Sequence, residues 1–304
     1  MNQIKIEKVP YAGWPNCYRV TDGEIELIST SDVGPRILRC GFVGGQNLFY
    51  ECKPQLGNSG EPWWLIRGGH RLWRAPELVP DTYALDNAPV EARIKEGETL
   101  SLLQRIEPET GLRKEISIRL DGAGCAQIVH RIENTGSKTV RLAPWALTVM
   151  AAGGRGIAAF PRRGSHDENL LPTNPLVMWA YTDFSDNRWS FTRKYLLLRQ
   201  DPRIVSPQKA GLFNEKTCAA YLLGTDLFVK RCEASRAAMY PDYGCSFEVF
   251  TNNDFLELET LGALVDVLPG NSVSHVESWL LRRDVRLKAF SDDELDRVLE
   301  PLMQ

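Results

Sequence analysis

A chain of 304 residues with 43% hydrophobic and 25% charged side chains can bury a sizeable core, which excludes a disordered or fibrous protein. A formal net charge of -3 and a pI near 5.9 exclude a general nucleic-acid binder, because phosphate binding wants a basic surface. The start, M-N-Q-I-K-I-E-K, lacks an apolar stretch of signal-peptide length, and no apolar run approaches the ~18 residues that span a bilayer, so we expect a cytoplasmic protein with no membrane partner.

Strand and turn signals dominate from the beginning. Residues 11–21 lead into Asp22-Gly23, a hairpin-type dipeptide, and residues 24–29 alternate Glu24 and Glu26 with Ile25 and Leu27, the pattern of a half-buried strand. Residues 37–42 and 47–50 read as two more strands around Gly44-Gly45.

Residues 53–89, rich in proline and tryptophan, read as a wall of loops, and loops of that length are usually functional. Within them, residues 66–77 spell I-R-G-G-H-R-L-W-R-A-P-E, which concentrates Arg67, Arg71, Arg74, His70, Trp73 and Glu77 behind a Gly-Gly that would let backbone approach a ligand. The plainer reading is a basic, proline-terminated loop anchored by Trp73, with one or two arginines paired to Glu77 or Asp81.

Residues 90–150 form a meander, with strand patterns at 100–106, 114–120, 126–133 and 139–150 separated by turn signals. A second loop-rich region, 153–174, carries Arg162, Arg163 and His166 and precedes an aromatic stretch at 179–191. Strand patterns resume at 195–199, 217–223, 227–233, 245–251, 255–261 and 272–282. Helical periodicity is clear only at the end, where Ser291 and Glu294 make a capping box and Leu295, Val298, Leu299 and Leu302 form a stripe, predicting a helix that closes a sheet edge. Some fifteen short strands predict an all-β protein, a large antiparallel sandwich or barrel, and we expect one domain over residues 1–304.

Seven scattered cysteines without a C-x-x-C pair read as reduced thiols, and we expect no metal and no cofactor. The chain has no G-x-S-x-G elbow, phosphate loop or H-E-x-x-H helix. In F-L-E-L-E-T-L, Glu257 and Glu259 share one strand face about 6 to 7 Å apart, close enough to raise each other's pKa unless cations intervene. An outward polar face of an ordinary strand would give the same pattern. Of four histidines, His130 and His275 sit in strand patterns and read as structural or surface residues, His166 reads as a loop residue, and His70, between Arg67 and Arg71, is the candidate acid. Trp63, Trp64, Trp73, Trp179 and Trp189 suit stacking on a sugar ring, or a large β core.

The order of features resembles the galactose mutarotase (aldose 1-epimerase) superfamily over most of the chain, with three specific places. Ile66-Arg67-Gly68-Gly69 resembles the I-R-G-G opening a substrate-binding loop in hexose-6-phosphate epimerases; Glu133-Asn134-Thr135-Gly136, running into the strand through Trp145, resembles the N-T-S turn and strand; and Leu258-Glu259-Thr260 with Leu268-Pro269-Gly270 is similar to the L-E-T-Q segment and P-G-E turn. The resemblance implies a β-supersandwich, a small-molecule sugar ligand, Glu259 as the base taking the anomeric proton, and a histidine protonating the ring oxygen. Where the family carries that histidine, this sequence reads Ala143-Pro144-Trp145-Ala146-Leu147.

Two readings stay open at this point. Either His70 has become the acid, with Arg67, Arg71, Trp73, Glu77, Trp145 and Glu257 contacting the sugar and the arginines admitting an anionic one, or the face binds sugar without turning it over. A glycoside hydrolase or lyase using Glu257 and Glu259 or Glu77 ranks last, since same-face neighbours on one strand rarely flank a bond from opposite sides.

Overall fold

A computed structural model describes residues 3–95 and 98–302. They form two antiparallel sheets, as the alternating patterns imply. In spatial order the first sheet runs Lys5–Tyr11, Trp14–Thr21, Ile25–Thr30, Arg36–Phe42, Gly69–Ala75, Val140–Met150, Leu256–Leu261, Phe247–Thr251, Gln208–Leu212 and Leu176–Met178, with Val265–Val267 paired to one end of Val140–Met150. The second runs Trp189–Phe191, Tyr195–Arg199, Arg155–Ala159, Lys216–Leu223, Asp226–Glu233, Ser272–Arg282, Cys125–Asn134, Leu112–Leu120, Thr99–Leu103 and Glu91–Lys95.

Side chains alternate across each strand, so each sheet turns one set of apolar residues toward the other. Val20, Leu27, Ile37, Leu72, Leu256 and Leu258 of the first sheet share a core with Leu100, Ile116, Ile128, Phe228 and Trp279 of the second. The turn after Cys125–Asn134 is tied to this frame by Asn134, whose Nδ2 donates to the carbonyls of Lys138 and Val267 while its own carbonyl accepts from Gly270.

Three expectations need correction. The segment 66–77 is not a loop: Gly69–Ala75 is an inner strand of the first sheet, paired with Arg36–Phe42 and Val140–Met150. It hides from pattern reading because both its faces are buried and both carry polar residues. The Gly-Gly serves packing within the chain. A Cβ on Gly68 would lie 2.0 Å from the Tyr50 carbonyl oxygen, and one on Gly69 would lie 2.2 Å from that of Ile37. The second loop-rich region likewise contains a buried strand, Arg155–Ala159.

The terminal helix, Asp292–Leu299, covers a face and not an edge. Leu295, Leu299 and Leu302 pack on Ile157, Leu197, Ala220 and Val229, on the side of the second sheet away from the first. Ser291 is its N-cap without a side-chain cap bond, so the capping box is not formed; Asp292, Asp293 and Glu294 instead place negative charge at the positive end of the helix dipole. All seven cysteines are unpaired, and no helix among the described residues is long and apolar enough to cross a membrane.

Candidate functional site

Pairing register lines up one row of side chains across the outer face of the first sheet. Arg71 lies opposite Leu147, Leu147 opposite Glu259, Glu259 opposite Glu248, and Glu248 opposite Gly211. The neighbouring rows on the same face hold Trp73, Trp145 and Leu261 on one side, and Glu257, Phe250 and Lys209 on the other. Gly211 is required here: a Cβ would stand 2.5 Å from Cys245 Sγ, 3.2 Å from the Trp179 ring and 3.3 Å from Glu248 Cγ.

Each carboxylate of the Leu256–Leu261 strand has its own cation. Glu259 Oε2 accepts from Trp145 Nε1 at 2.9 Å and from Lys209 Nζ at 2.9 Å, and the same Nζ lies 2.7 Å from Glu248 Oε2. Arg71 Nη2 donates to Glu257 Oε1 at 3.0 Å. Aromatic rings hold both cations: Arg71 sits 4.4 Å from the Trp73 ring centre, and Lys209 Nζ lies 4.8 Å from those of Trp145 and Trp179. Trp64, Trp73 and Tyr83 meet one another edge-on or tilted beside Arg71, and the Tyr83 hydroxyl donates to Glu77, which is exposed at the rim.

The charges are strongly perturbed. Burial raises the Glu257 carboxyl above its usual range, with Arg71 pulling it down and Glu259 pushing it up. Burial also carries Glu248 well above that range against the pull of Lys209. Burial opposes the Lys209 charge, yet Glu248 and Glu259 outweigh it and hold the ammonium well above its ordinary value.

His70 does not join this face. It alternates with Arg71 and Trp73 along the same strand and points between the sheets, fully buried, with Nδ1 at 2.9 Å from Thr148 Oγ1 and Nε2 at 2.7 Å from His130 Nε2. The expected pairing of His70 with Glu259 as acid and base is therefore not brought together: they lie on opposite sides of one sheet. His70 belongs to a core network in which Glu277 takes Lys230 Nζ at 2.8 Å, Trp279 Nε1 at 2.7 Å and the Thr260 hydroxyl, while Thr260 also meets His275 Nε2 at 2.8 Å. The ligand-type atoms of His70, His130 and Glu277 lie within 4.8 Å of one another, but each is already hydrogen-bonded inside the network and the Lys230 ammonium touches the carboxylate.

Arg67 and Arg74 are also engaged away from the face. Arg67, fully buried with φ of 50°, binds Glu61 and Asn87, and Arg74 pairs with Asp81 at 2.8 Å. Of the residues expected from sequence, the structure brings together Arg71, Trp73, Trp145, Glu257 and Glu259, with Glu77 at the rim.

Sequence reading missed Lys209 and Glu248. Glu248 alternates with apolar neighbours in F-E-V-F-T and so looks like the wet side of a strand, while Lys209, beside Gln208 in Q-K-A-G-L, falls outside the strand patterns read from sequence.

The two clusters differ in satisfaction. On the outer face, Arg71 Nε and Nη1, Glu259 Oε1, Glu248 Oε1 and Trp64 Nε1 are buried without a hydrogen-bond partner. Buried polar atoms are ordinarily paired, so several unpaired ones on one face set it apart from the saturated network between the sheets.

No family model matches the sequence, and no curated protein is similar to it. In structure, the chain is similar to the Slr1438 protein of Synechocystis, with a TM-score of 0.59 at 12% identity over 91% of this chain and 99% of that one. It is similar to a galactose mutarotase-like protein of Lactobacillus casei, with a TM-score of 0.59 at 9% identity over 88% of this chain and 100% of that one. A galactose mutarotase-like protein of Clostridium acetobutylicum matches with a TM-score of 0.53 at 11% identity, over 93% and 99%. The two-sheet architecture is thus the β-sandwich fold of these solved structures. The chain has the galactose mutarotase-like fold.

Proposed function

We propose that the outer face of the first sheet binds a monosaccharide-sized ligand and that Glu259 takes the proton from its anomeric hydroxyl, so that the ring opens and recloses as the other anomer. The observation that carries this reading is the set of unpartnered buried atoms, Glu259 Oε1, Arg71 Nη1 and Trp64 Nε1, on a face floored by Trp73 and Trp145. Such a face offers hydroxyl-binding groups beside stacking surfaces, the usual construction of a sugar site.

The ligand of this reading is uncharged. Arg71 is matched by Glu257 and Lys209 by Glu248 and Glu259, while Arg67 and Arg74 are paired elsewhere, so no arginine clamp is left for a phosphate. Exchange NMR or polarimetry on freshly dissolved neutral aldoses tests the proposal. Acceleration by the protein, lost in Glu259→Gln, is the expected result; no acceleration, or an unimpaired variant, overturns it.

One observation favours a second reading. With His70 turned into the core, none of the four histidines stands on the face: His130 and His275 lie in the same network and His166 is exposed on a loop. A binding or sensing module would show saturable binding of a neutral sugar without faster anomeric exchange.

A further inference from the structure

Resting on the reading of Glu259 as base, we propose that Glu248 is the general acid of the same site, protonating the ring oxygen in place of a histidine. Glu259 and Glu248 share a single ammonium, that of Lys209, because Arg71 is committed to Glu257. One cation between two buried carboxyls favours a proton on one of them.

Hydrogen bonding says where that proton sits. Glu259 Oε2 receives two donors, Trp145 Nε1 and Lys209 Nζ, and so stands as the hydrogen-bond acceptor of the pair. Glu248 has only the ammonium at Oε2, and its Oε1 is buried without a geometrically satisfied partner. Burial of Glu248, with Glu259 and Asp242 adding repulsion, raises its pKa in the same sense.

The other charged or titratable groups around Glu248 are Cys245, whose thiol is pushed up by burial, and Tyr181 and Glu77, whose fields reach the cluster from the rim. None of these is a cation that would ionise Glu248.

The chemistry balances without an additional reactant. Glu259 takes the proton of the anomeric O–H, the C1–O bond to the hydroxyl oxygen becomes a carbonyl, the bond from C1 to the ring oxygen breaks, and that oxygen takes the proton of Glu248. Reclosure on the other face of C1 returns both protons. Negative charge passes from Glu259 to Glu248 while Lys209, bonded to both, remains the counter-ion throughout.

The test compares Glu248→Gln, Glu248→Asp and Glu259→Gln with the unmodified chain, by exchange NMR of a neutral aldose and by sugar titration. Loss of a general acid costs about 10²- to 10⁴-fold in rate, so Glu248→Gln should slow exchange by that factor while still binding sugar, and Glu248→Asp should restore part of it. The unmodified protein's rate should also fall as pH rises and Glu248 loses its proton; this arm decides if the glutamine variant fails to fold. A fast Glu248→Gln with a dead Glu259→Gln overturns the acid assignment and leaves the base reading standing. A rate that does not fall as pH rises likewise overturns the acid assignment, and an inert unmodified protein sinks both.

Discussion

Lys209 is the residue on which the outer face depends. Its ammonium touches Glu248 and Glu259 and lies between two indole rings, so removing it leaves buried carboxyls without a counter-ion. Lys209→Ala should cost about 3–5 kcal/mol of stability, the range for breaking a buried pair from one side. Denaturant unfolding at neutral pH measures it, and a loss below about 1 kcal/mol would mean that the buried carboxyls do not depend on this ammonium. At Gly68, with φ of 94° and no room for a Cβ, Gly68→Ala should cost at least about 1–3 kcal/mol, because both conformation and contact oppose a side chain. A thermal midpoint unchanged from the parent would contradict this.

Among elements, the strand Gly69–Ala75 divides two kinds of polar chemistry. One side delivers Arg71 to the unsatisfied outer face; the other delivers His70 to a saturated network between the sheets. Substituting His70→Leu should therefore cost about 1–3 kcal/mol for the His130 Nε2 left unpaired, since Thr148 keeps its bond from Lys230, yet leave anomeric exchange per folded molecule intact. Loss of exchange in a fully folded variant would return His70 to the catalytic account.

The network also predicts an acid sensitivity. Burial holds His70 and His130 below their ordinary value and His275 down to about 3, so the unfolded chain takes up protons below about pH 6.5 that the folded chain refuses. Their contribution to stability is lost as pH falls through that value, and Glu277, also depressed, adds loss below its ordinary 4.5. Glu248 and Glu257 work oppositely, since their raised values make the folded chain hold protons more readily. Replacing His275→Gln isolates one term: between about pH 6 and pH 4 its stability should fall less steeply, by up to about 1.4 kcal/mol per pH unit. Equal slopes for parent and variant would refute it.

At the scale of the molecule, the two outer faces have different fates. The second sheet buries part of its own under Asp292–Leu299, while the first presents its unpaired polar atoms beside an aromatic floor. Leu295→Ala or Leu299→Ala should cost about 2–5 kcal/mol, as large-to-small changes in a packed cluster do, without altering the affinity for sugar. A parallel loss of affinity in folded protein would mean that the two faces communicate.

Much of this was legible from residues alone. Period-two alternation and turn dipeptides carry the all-β class, since each half-buried strand writes its two faces into the sequence. The F-L-E-L-E-T-L segment places Glu257 and Glu259 on one face by the same rule. Alternation fails where both sides of a strand are buried and polar, which concealed Gly69–Ala75 and the direction of His70. It also cannot find Lys209 or Glu248, which reach Glu259 from separate strands more than ten residues away along the chain. The sequence by itself determined which side chains share a face of each strand; only the tertiary structure decided which faces meet, because pairing between distant strands is set by packing and is not written in any one segment.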